Sequence, residues 1–292
     1  MHPVLATFSI GGTQVVLRSY GTFYVLAWVV AIALATCIAW RRGFSWWRAL
    51  LTFAIGLAVG IAGARLFDLV VDWGEYSHDF SRIYSFSFTG FALDGGLILA
   101  VVTAALFARL FRLPLWRLAD GAVPALAAGI VLMRIGCLLN GCCFGTVTSL
   151  PWGVTYPPGS QAWAWQVATG RTGLLGFVGM VRPVHPTQVY EMIAATVLCG
   201  LAVWLPRRGR SSSASRMAPG VPFLVFALGF TLFRLANYFL RVHLPTTALP
   251  LWFYPSLYAV MGIVVATVLA WRISLFVGIA AAGRDRETAD VG

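Results

Sequence analysis

The chain has 292 residues, of which 59% are hydrophobic and only 11% are charged, and its formal net charge is +11 at pH 7. Soluble domains are about 25% charged, so this composition excludes an ordinary soluble protein and is typical of an integral membrane protein. All 21 basic residues are arginine. In a membrane protein an excess of basic residues is explained by topology, because basic residues collect in the cytoplasmic connections. We therefore expect no nucleic-acid partner.

Seven apolar runs are long enough to cross a bilayer, which takes about 20 helical residues. In chain order they cover residues 20–40, 50–71, 91–110, 119–139, 187–205, 221–240 and 254–275. The sequence therefore predicts an all-α integral membrane protein with about seven transmembrane helices, organised as a single membrane domain over residues 1–292.

Arginines outside these runs are distributed unevenly between the two sides of the predicted membrane. One side holds thirteen of them and the other side holds five. Because positively charged connections stay in the cytoplasm, we expect the N-terminus outside and the C-terminus in the cytoplasm. The predicted connections include an outer-surface segment at 140–186, a cytoplasmic loop at 206–219 and a disordered tail at 283–292.

The second run contains a small-residue pair and an opposite-charge pair. Gly56 and Gly60 are four residues apart, a spacing that lets helices approach closely, and we interpret it as packing within the chain. Arg65 and Asp68 are three apart and share a helix face. This pair fits either a local ion pair or an arginine that helps to bind an anion.

Carboxylates open the third and fourth runs. Asp94 is followed by Gly95 and Gly96, and it fits either the counter-ion of an arginine or a proton acceptor. The two glycines weaken a helix, which is easier to explain if the backbone approaches a ligand or another helix. Asp120 is interpreted as the N-terminal cap of the fourth helix.

The most informative stretch is 134–145, where Arg134 near the end of an apolar run precedes a break rich in glycine and cysteine. A charge inside a membrane segment is costly and by default marks a functional site. We therefore expect Arg134 to face a cavity. Asn140-Gly141 predicts the end of the fourth helix.

Three cysteines, Cys137, Cys142 and Cys143, lie in this break, and His185 follows in the next polar run. A metal site is one interpretation, but the C-x-x-C pairs typical of zinc sites are missing. We expect no metal and interpret the cysteines as small buried residues. A disulfide on the oxidising side of the membrane stays open.

A second polar run, 185–191, opens the fifth predicted helix. His185 at the helix entrance fits a structural hydrogen bond or a base. Glu191 lies one turn deeper and needs a cationic partner, for which Arg134 or Arg234 would serve; Arg234 is well inside the sixth run. An excess of guanidinium groups in a membrane cavity implies an anionic ligand, and the natural anion there is a phospholipid phosphate.

These motifs resemble the prolipoprotein diacylglyceryl transferases of bacteria. The family signature reads roughly Gly-Arg-x-Gly-Asn-Phe-x-Asn-x-Glu-x-x-Gly, of which this chain keeps Arg134, Gly136, Asn140 and Gly145. The likeness extends to the following segments: Tyr20-Gly21, Gly63-x-Arg65, Asp94-Gly95-Gly96, Pro151-Trp152, His185-Pro186-Thr187-Gln188-x-Tyr190-Glu191 and Phe233-Arg234.

The resemblance implies transfer of a diacylglyceryl group from phosphatidylglycerol to the lipobox cysteine thiol of a prolipoprotein. It places the enzyme among the lipids of the bacterial inner membrane, with its site toward the outer leaflet, and we expect a monomer without a cofactor. It implies that Arg134 and Arg234 bind the phosphate, with Asp94 as base or proton relay and Glu191 as the rival base. The remaining matched positions are expected to bind substrate: Tyr20, Arg65, Gly95, Gly96, Asn140, Gly145, His185, Gln188 and Tyr190.

The chain also departs from the family pattern. A family histidine before the paired glycines is Asp94 here, and a family glutamate one turn after the sixth-run arginine is Tyr238. The signature's leading glycine, first asparagine and glutamate are Met133, Cys137 and Cys142. These departures leave open a non-catalytic phospholipid-binding or lipid-moving protein, a related transferase with another acceptor, and a membrane redox protein that uses its cysteines.

Overall fold

The computed structural model describes residues 4–10, 13–71, 73, 93–171, 181–208, 217–243 and 250–289. The chain begins with a β-hairpin and continues as helices. These elements are β1 (Val4–Ile10), β2 (Thr13–Arg18), α1 (Ser19–Arg41), α2 (Trp46–Val71), α3 (Leu93–Leu110), α4 (Leu115–Asn140), α5 (Gln161–Ala168), α6 (Thr187–Arg208), α7 (Val221–Leu240) and α8 (Phe253–Ala289).

The predicted multi-span membrane fold is confirmed. Six helices, α1, α2, α4, α6, α7 and α8, are long and apolar enough to cross a membrane, and α3 contains a shorter apolar helix over Gly96–Leu110. These seven helices correspond to the seven apolar runs of the sequence. Large apolar side chains such as Val29, Leu106 and Val197 are exposed on them, as expected for helices surrounded by lipid.

The two ends of the chain differ from the sequence-based expectation. The N-terminal hairpin was not predicted; β1 and β2 pair antiparallel, with Val4 opposite Arg18, and β2 leads directly into α1. At the other end, α8 continues to Ala289, into the predicted tail at 283–292. Residues 209–216 of the predicted loop and 290–292 of the tail lie outside the described residues.

Helix α4 is the centre of the helix packing, since α1, α6 and α7 all contact it. Its contact with α1 depends on a small residue: a Cβ added at Gly136 would lie 2.7 Å from the Cβ of Phe23. On another side α4 shares an apolar cluster with α6 and α7, formed by Val123, Ala127, Ala195, Ala202 and Phe226. The helices that carry Arg134, Glu191 and Arg234 are therefore held together by tight apolar packing.

Glycines bring α2 and α3 into close contact, which confirms the interpretation of Gly56 and Gly60 as packing residues within the chain. A Cβ added at Gly60 would lie 2.9 Å from the Cβ of Ala100 and 3.1 Å from the carbonyl oxygen of Gly96. A Cβ at Gly96 would lie 2.6 Å from the carbonyl oxygen of Gly60. Gly96 is thus a helix-contact residue, whatever else it does.

Asp120 caps a helix, but the helix is not its own. It lies in the second turn of α4, which begins at Leu115, and its carboxylate accepts hydrogen bonds from the backbone N–H groups of Gly220 (2.7 Å) and Phe223 (3.0 Å). Gly220 is the N-cap of α7 and Phe223 lies in its first turn, where N–H groups lack partners inside the helix. The sequence interpretation named the right chemistry and the wrong helix.

The segment between α4 and α6 folds back so that its two ends meet. Gly145 donates its N–H to the His185 carbonyl (2.8 Å), and His185 donates to the Thr146 carbonyl (3.0 Å). An apolar cluster fills the segment between them, formed by Phe144, Tyr156, Ala162 and Val184. The last residues of α4 and the first residues of α6 are consequently fixed next to one another.

Candidate functional site

Glu191 is the centre of a buried charged cluster between α4, α6 and α7. Its Oε2 lies 2.6 Å from Arg134 Nε, and its Oε1 lies 3.3 Å from Arg234 Nη1 and 3.9 Å from Arg241 Nη1. Arg134 and Glu191 are 4% and 2% exposed, so water contributes little to balancing their charges. We call Glu191 and these three arginines the arginine cluster.

Neutral groups complete the coordination of this cluster. Asn237 Nδ2 donates to Glu191 Oε1 at 3.2 Å, and Asn237 is itself buried. Arg234 Nη2 donates to the Tyr258 hydroxyl of α8 at 2.6 Å. The carboxylate of Glu191 therefore accepts hydrogen bonds from several donors at once, and α8 also contributes to holding Arg234.

The sequence analysis missed Arg241, which it counted only as a charge on the outer side. Arg241 is the residue that follows α7, and its position forms a β-bridge with Gly145, at the junction of α4 and α6. The available signal was its spacing from Arg234: seven residues are nearly two helical turns, so both start from the same face. Three guanidinium groups thus outnumber the one carboxylate of the cluster.

The three cysteines of the break lie against this cluster. The sulfur atoms of Cys137, Cys142 and Cys143 all lie within 4.8 Å of one another, and the three are free thiols. Arg134 Nη1 is 3.7 Å from Cys137 Sγ. Hydrogen bonds from the thiols of Cys137 and Cys142 hold the pKa of Cys143 well below its usual value, and Arg241 and Arg134 act in the same direction.

Gln188 lies in the same region and is completely buried. Its Nε2 donates to the Cys142 carbonyl at 2.6 Å and to the Tyr156 hydroxyl at 2.9 Å. Burial raises the pKa of Tyr156 to about 12, so this hydroxyl stays protonated. Among the described residues, Gln188 Oε1 has no hydrogen-bond partner. The substrate-binding role of Gln188 stays a prediction. In the structure its amide nitrogen donates to the backbone of the loop that carries Cys142.

A second set of predicted residues forms a hydrogen-bonded row toward the surface. The Tyr190 hydroxyl lies 3.2 Å from His185 Nδ1 and accepts a hydrogen bond from Trp152 Nε1 at 2.8 Å. Trp152 is 56% exposed, whereas His185 is partly buried. The structure thus joins His185, Tyr190 and Trp152 by side-chain contacts, and the substrate-binding roles of His185 and Tyr190 stay predictions.

Two further predicted residues lie where segments cross or end. Asn140 is the last residue of α4, and Gly141 follows in the left-handed conformation with φ of 70°, which confirms the predicted helix end. Gly145 lies at a crossing of three segments: an added Cβ would be 2.6 Å from His185 Cβ and 2.7 Å from the Leu240 carbonyl oxygen. Gly145 lets these segments meet, so its proposed contact with substrate stays a prediction.

The remaining predicted residues belong to the first three helices. Tyr20 lies in the first turn of α1, and its ring stacks on Tyr24 with centroids 5.5 Å apart. Arg65 is partly buried in α2. Asp94 and Gly95 belong to the first turn of α3, and the side chain of Asp94 lies outside the described part of the structure. Their functional roles stay predictions.

Comparison with known proteins gives one consistent result. Residues 6–279 match the family model described as prolipoprotein diacylglyceryl transferase. A protein named phosphatidylglycerol--prolipoprotein diacylglyceryl transferase from Synechococcus elongatus is 30% identical over 220 residues, which cover 75% of this chain and 71% of the relative. A protein of the same name from Dehalococcoides mccartyi is 30% identical over 240 residues, or 81% of each chain. Another, from Chloroflexus aggregans, is 28% identical over 231 residues, which cover 78% of this chain and 72% of the relative.

Proposed function

Because the chain belongs to the prolipoprotein diacylglyceryl transferase family, we propose that it transfers the diacylglyceryl group of phosphatidylglycerol to the lipobox cysteine thiol of a prolipoprotein. The thiol sulfur forms a bond to the glyceryl carbon, and the bond between that carbon and the phosphate oxygen breaks. Glycerol phosphate leaves with the bonding electrons, and the thiol proton passes to a base or to water. The product is a thioether.

The observation that carries this proposal is the excess of guanidinium groups in the arginine cluster. Breaking the carbon–oxygen bond turns a phosphodiester with one negative charge into a phosphomonoester with more. Fixed donors aimed at a developing charge are usually the largest contribution to catalysis. Arg134, Arg234 and Arg241 converge on one carboxylate, and an arginine fork suits a phosphate.

Within this function Glu191 is a positioning residue. It accepts hydrogen bonds from Arg134, Arg234 and Asn237, so its lone pairs are already engaged by cationic and neutral donors. A carboxylate held in this way is a poor proton acceptor, and its contribution is to fix the directions of the guanidinium groups. Asp94 is therefore the carboxylate that we propose as acceptor of the proton.

The arginine distribution supports an orientation for this site. With the N-terminus outside and the C-terminus in the cytoplasm, α4 ends and α6 begins at the outer surface. The arginine cluster and the row from His185 to Trp152 then lie on the outer-leaflet side of the membrane. An exported prolipoprotein and its lipid donor are both available on that side.

The direct test incubates the purified protein with phosphatidylglycerol and a lipobox peptide and detects the diacylglyceryl thioether by mass spectrometry. We expect the product with the natural chain and with Arg171→Ala, which removes an exposed arginine, and none with Arg134→Ala. Phosphatidylglycerol turnover without peptide modification would instead indicate another acceptor. Lipid binding without any turnover would indicate a non-catalytic protein, and a fully active Arg134→Ala would refute the phosphate site.

A further inference from the structure

The three cysteines next to the arginine cluster form a compact and largely buried group of thiols. Their sulfur atoms lie within 4.8 Å of one another, and Cys137 and Cys142 are 2% and 8% exposed. A metal–thiolate bond is about 2.3 Å long, so three sulfurs around one ion are about 4 Å apart. The observed spread is close to what three thiolates around one cation need.

The backbone of this turn is held in the conformation that makes the sulfurs converge. Gly141 and Cys143 have positive φ angles of 70° and 61°. A positive φ is ordinary for glycine but uncommon for a residue with a side chain such as Cys143. Such a conformation persists only where the surroundings determine it. The Cys142 N–H donates to the Cys137 carbonyl at 3.2 Å, which closes the turn onto the end of α4.

The first turn of α6 holds the same turn from the other side. Thr187 Oγ1 donates to the Cys143 carbonyl at 2.5 Å, and Gln188 Nε2 donates to the Cys142 carbonyl at 2.6 Å. Both of these residues are at most 1% exposed. Supporting hydrogen bonds of this kind orient metal ligands in known sites. The turn that carries Cys142 and Cys143 is thus held by hydrogen bonds from the first turn of α6.

From this arrangement we propose that Cys137, Cys142 and Cys143 bind one thiophilic d10 cation, zinc(II) or copper(I), next to the arginine cluster. Thiolate ligands select these two ions over the harder magnesium and calcium. The binding reverses the expectation of no metal, which rested on sequence spacing alone. It is independent of the transferase activity proposed above.

The charges of the surroundings are compatible with such an ion. Zinc with three thiolates carries one negative charge, and copper(I) with three thiolates carries two, so either complex is attracted to arginine. Arg134 Nη1 already lies 3.7 Å from Cys137 Sγ. A disulfide would use two of the sulfurs and leave the third without a role, whereas one cation uses all three.

Cadmium, a thiophilic probe, tests the site on the whole chain. The purified protein is stripped with a chelator under anaerobic conditions and titrated with Cd²⁺ while the sulfur-to-cadmium charge-transfer band is followed. We expect saturation at one equivalent per chain. Cys137→Ser and Cys143→Ser should remove the band, and the matched controls Cys37→Ser and Cys199→Ser, which change cysteines inside α1 and α6, should keep it. Competition with zinc(II) or copper(I) then identifies the ion that binds tightly.

A second measurement needs no variant, so it stays informative if a serine variant fails to fold. Bound cadmium withdraws thiolates from reaction, so alkylation of the three cysteines in the natural chain should slow by about tenfold or more. The proposal is overturned if the band grows without saturation, if it persists in Cys137→Ser, or if alkylation is unchanged. It is equally overturned if the anaerobically purified protein is two hydrogens lighter through a disulfide within the cluster.

Discussion

Arg134 and Glu191, 57 residues apart, join α4 to α6 through a contact of 2.6 Å between Nε and Oε2, with side chains only 5% and 3% exposed. Removing one partner of a buried ion pair leaves the other charge without compensation. Here one carboxylate serves three arginines, so its loss affects all of them. The pair therefore links the stability of the helix packing to the geometry of the site.

Glu191→Gln should destabilise the protein strongly. The substitution keeps the shape of the side chain and removes the only negative charge of the arginine cluster, which costs about 3–5 kcal/mol for a buried pair. The free energy of unfolding, measured in detergent with denaturant, should fall accordingly. Arg171→Gln, at an exposed position, should leave it unchanged. A Glu191→Gln protein of natural stability would contradict the ion-pair network.

Arg241→Gln should reduce kcat/KM for diacylglyceryl transfer by about 100- to 1000-fold, the usual effect of removing one donor from a developing oxyanion. The prediction rests on the 3.9 Å contact with Glu191 and on Arg241 being the most exposed arginine of the cluster. Because this side chain is 25% exposed, we expect stability to change little. Steady-state kinetics with Arg171→Gln as the matched control checks this, and unchanged kinetics would remove Arg241 from the site.

Gly145→Ala should destabilise the junction between α4, α6 and the end of α7. The new Cβ would lie 2.6 Å from His185 Cβ and 2.7 Å from a backbone oxygen of Leu240, and backbone atoms cannot move aside easily. Overpacking of this kind costs about 1–3 kcal/mol. Gly200→Ala is the matched control: it has open space in α6 and should stabilise the helix by up to about 1 kcal/mol. Equal effects of the two substitutions on the unfolding midpoint would contradict the close contact of Gly145 with His185 and Leu240.

Asp120→Ala should weaken the start of α7 instead of the start of α4. It removes the acceptor for the N–H groups of Gly220 and Phe223, at a cost of about 0.5–2 kcal/mol for a lost cap. Hydrogen exchange should become faster at residues 220–223 and stay unchanged at 122–123, whose N–H groups an N-terminal cap at Asp120 would serve. Faster exchange at 122–123 alone would instead support the cap that the sequence predicts.

Local patterns were sufficient for the spanning helices but not for the N-terminal hairpin, for α5 or for the contacts between elements. The apolar runs predict the spanning helices, and Asn140-Gly141 predicts where α4 ends, because length, hydropathy and helix-ending residues act within a few positions. Whole-chain patterning also singles out Arg134, Arg234 and Glu191, since buried charges need opposite charges.

The missed contacts of the site depend on residues far apart in the chain. Asp120 caps a helix that begins about one hundred residues later, and Arg241 joins the cluster because the chain leaves α7 beside Gly145. The convergence of the cysteines depends on Thr187 and Gln188 holding their carbonyl groups. Apart from the spacing of Arg241 from Arg234, these contacts have no signature within a sequence window, because tertiary packing decides them.

The segment between Gly145 and His185 can change in evolution without changing the arginine cluster, because the two ends of the segment are hydrogen-bonded to each other. Since the 2.8 Å hydrogen bond between these residues fixes where the segment leaves and returns, its length can vary while the helices stay in place. Loop closure penalises such variation weakly, by about 0.6 kcal/mol for each doubling of length. The segment can therefore become longer or change its sequence to suit a different protein acceptor, while the arginine cluster stays the same.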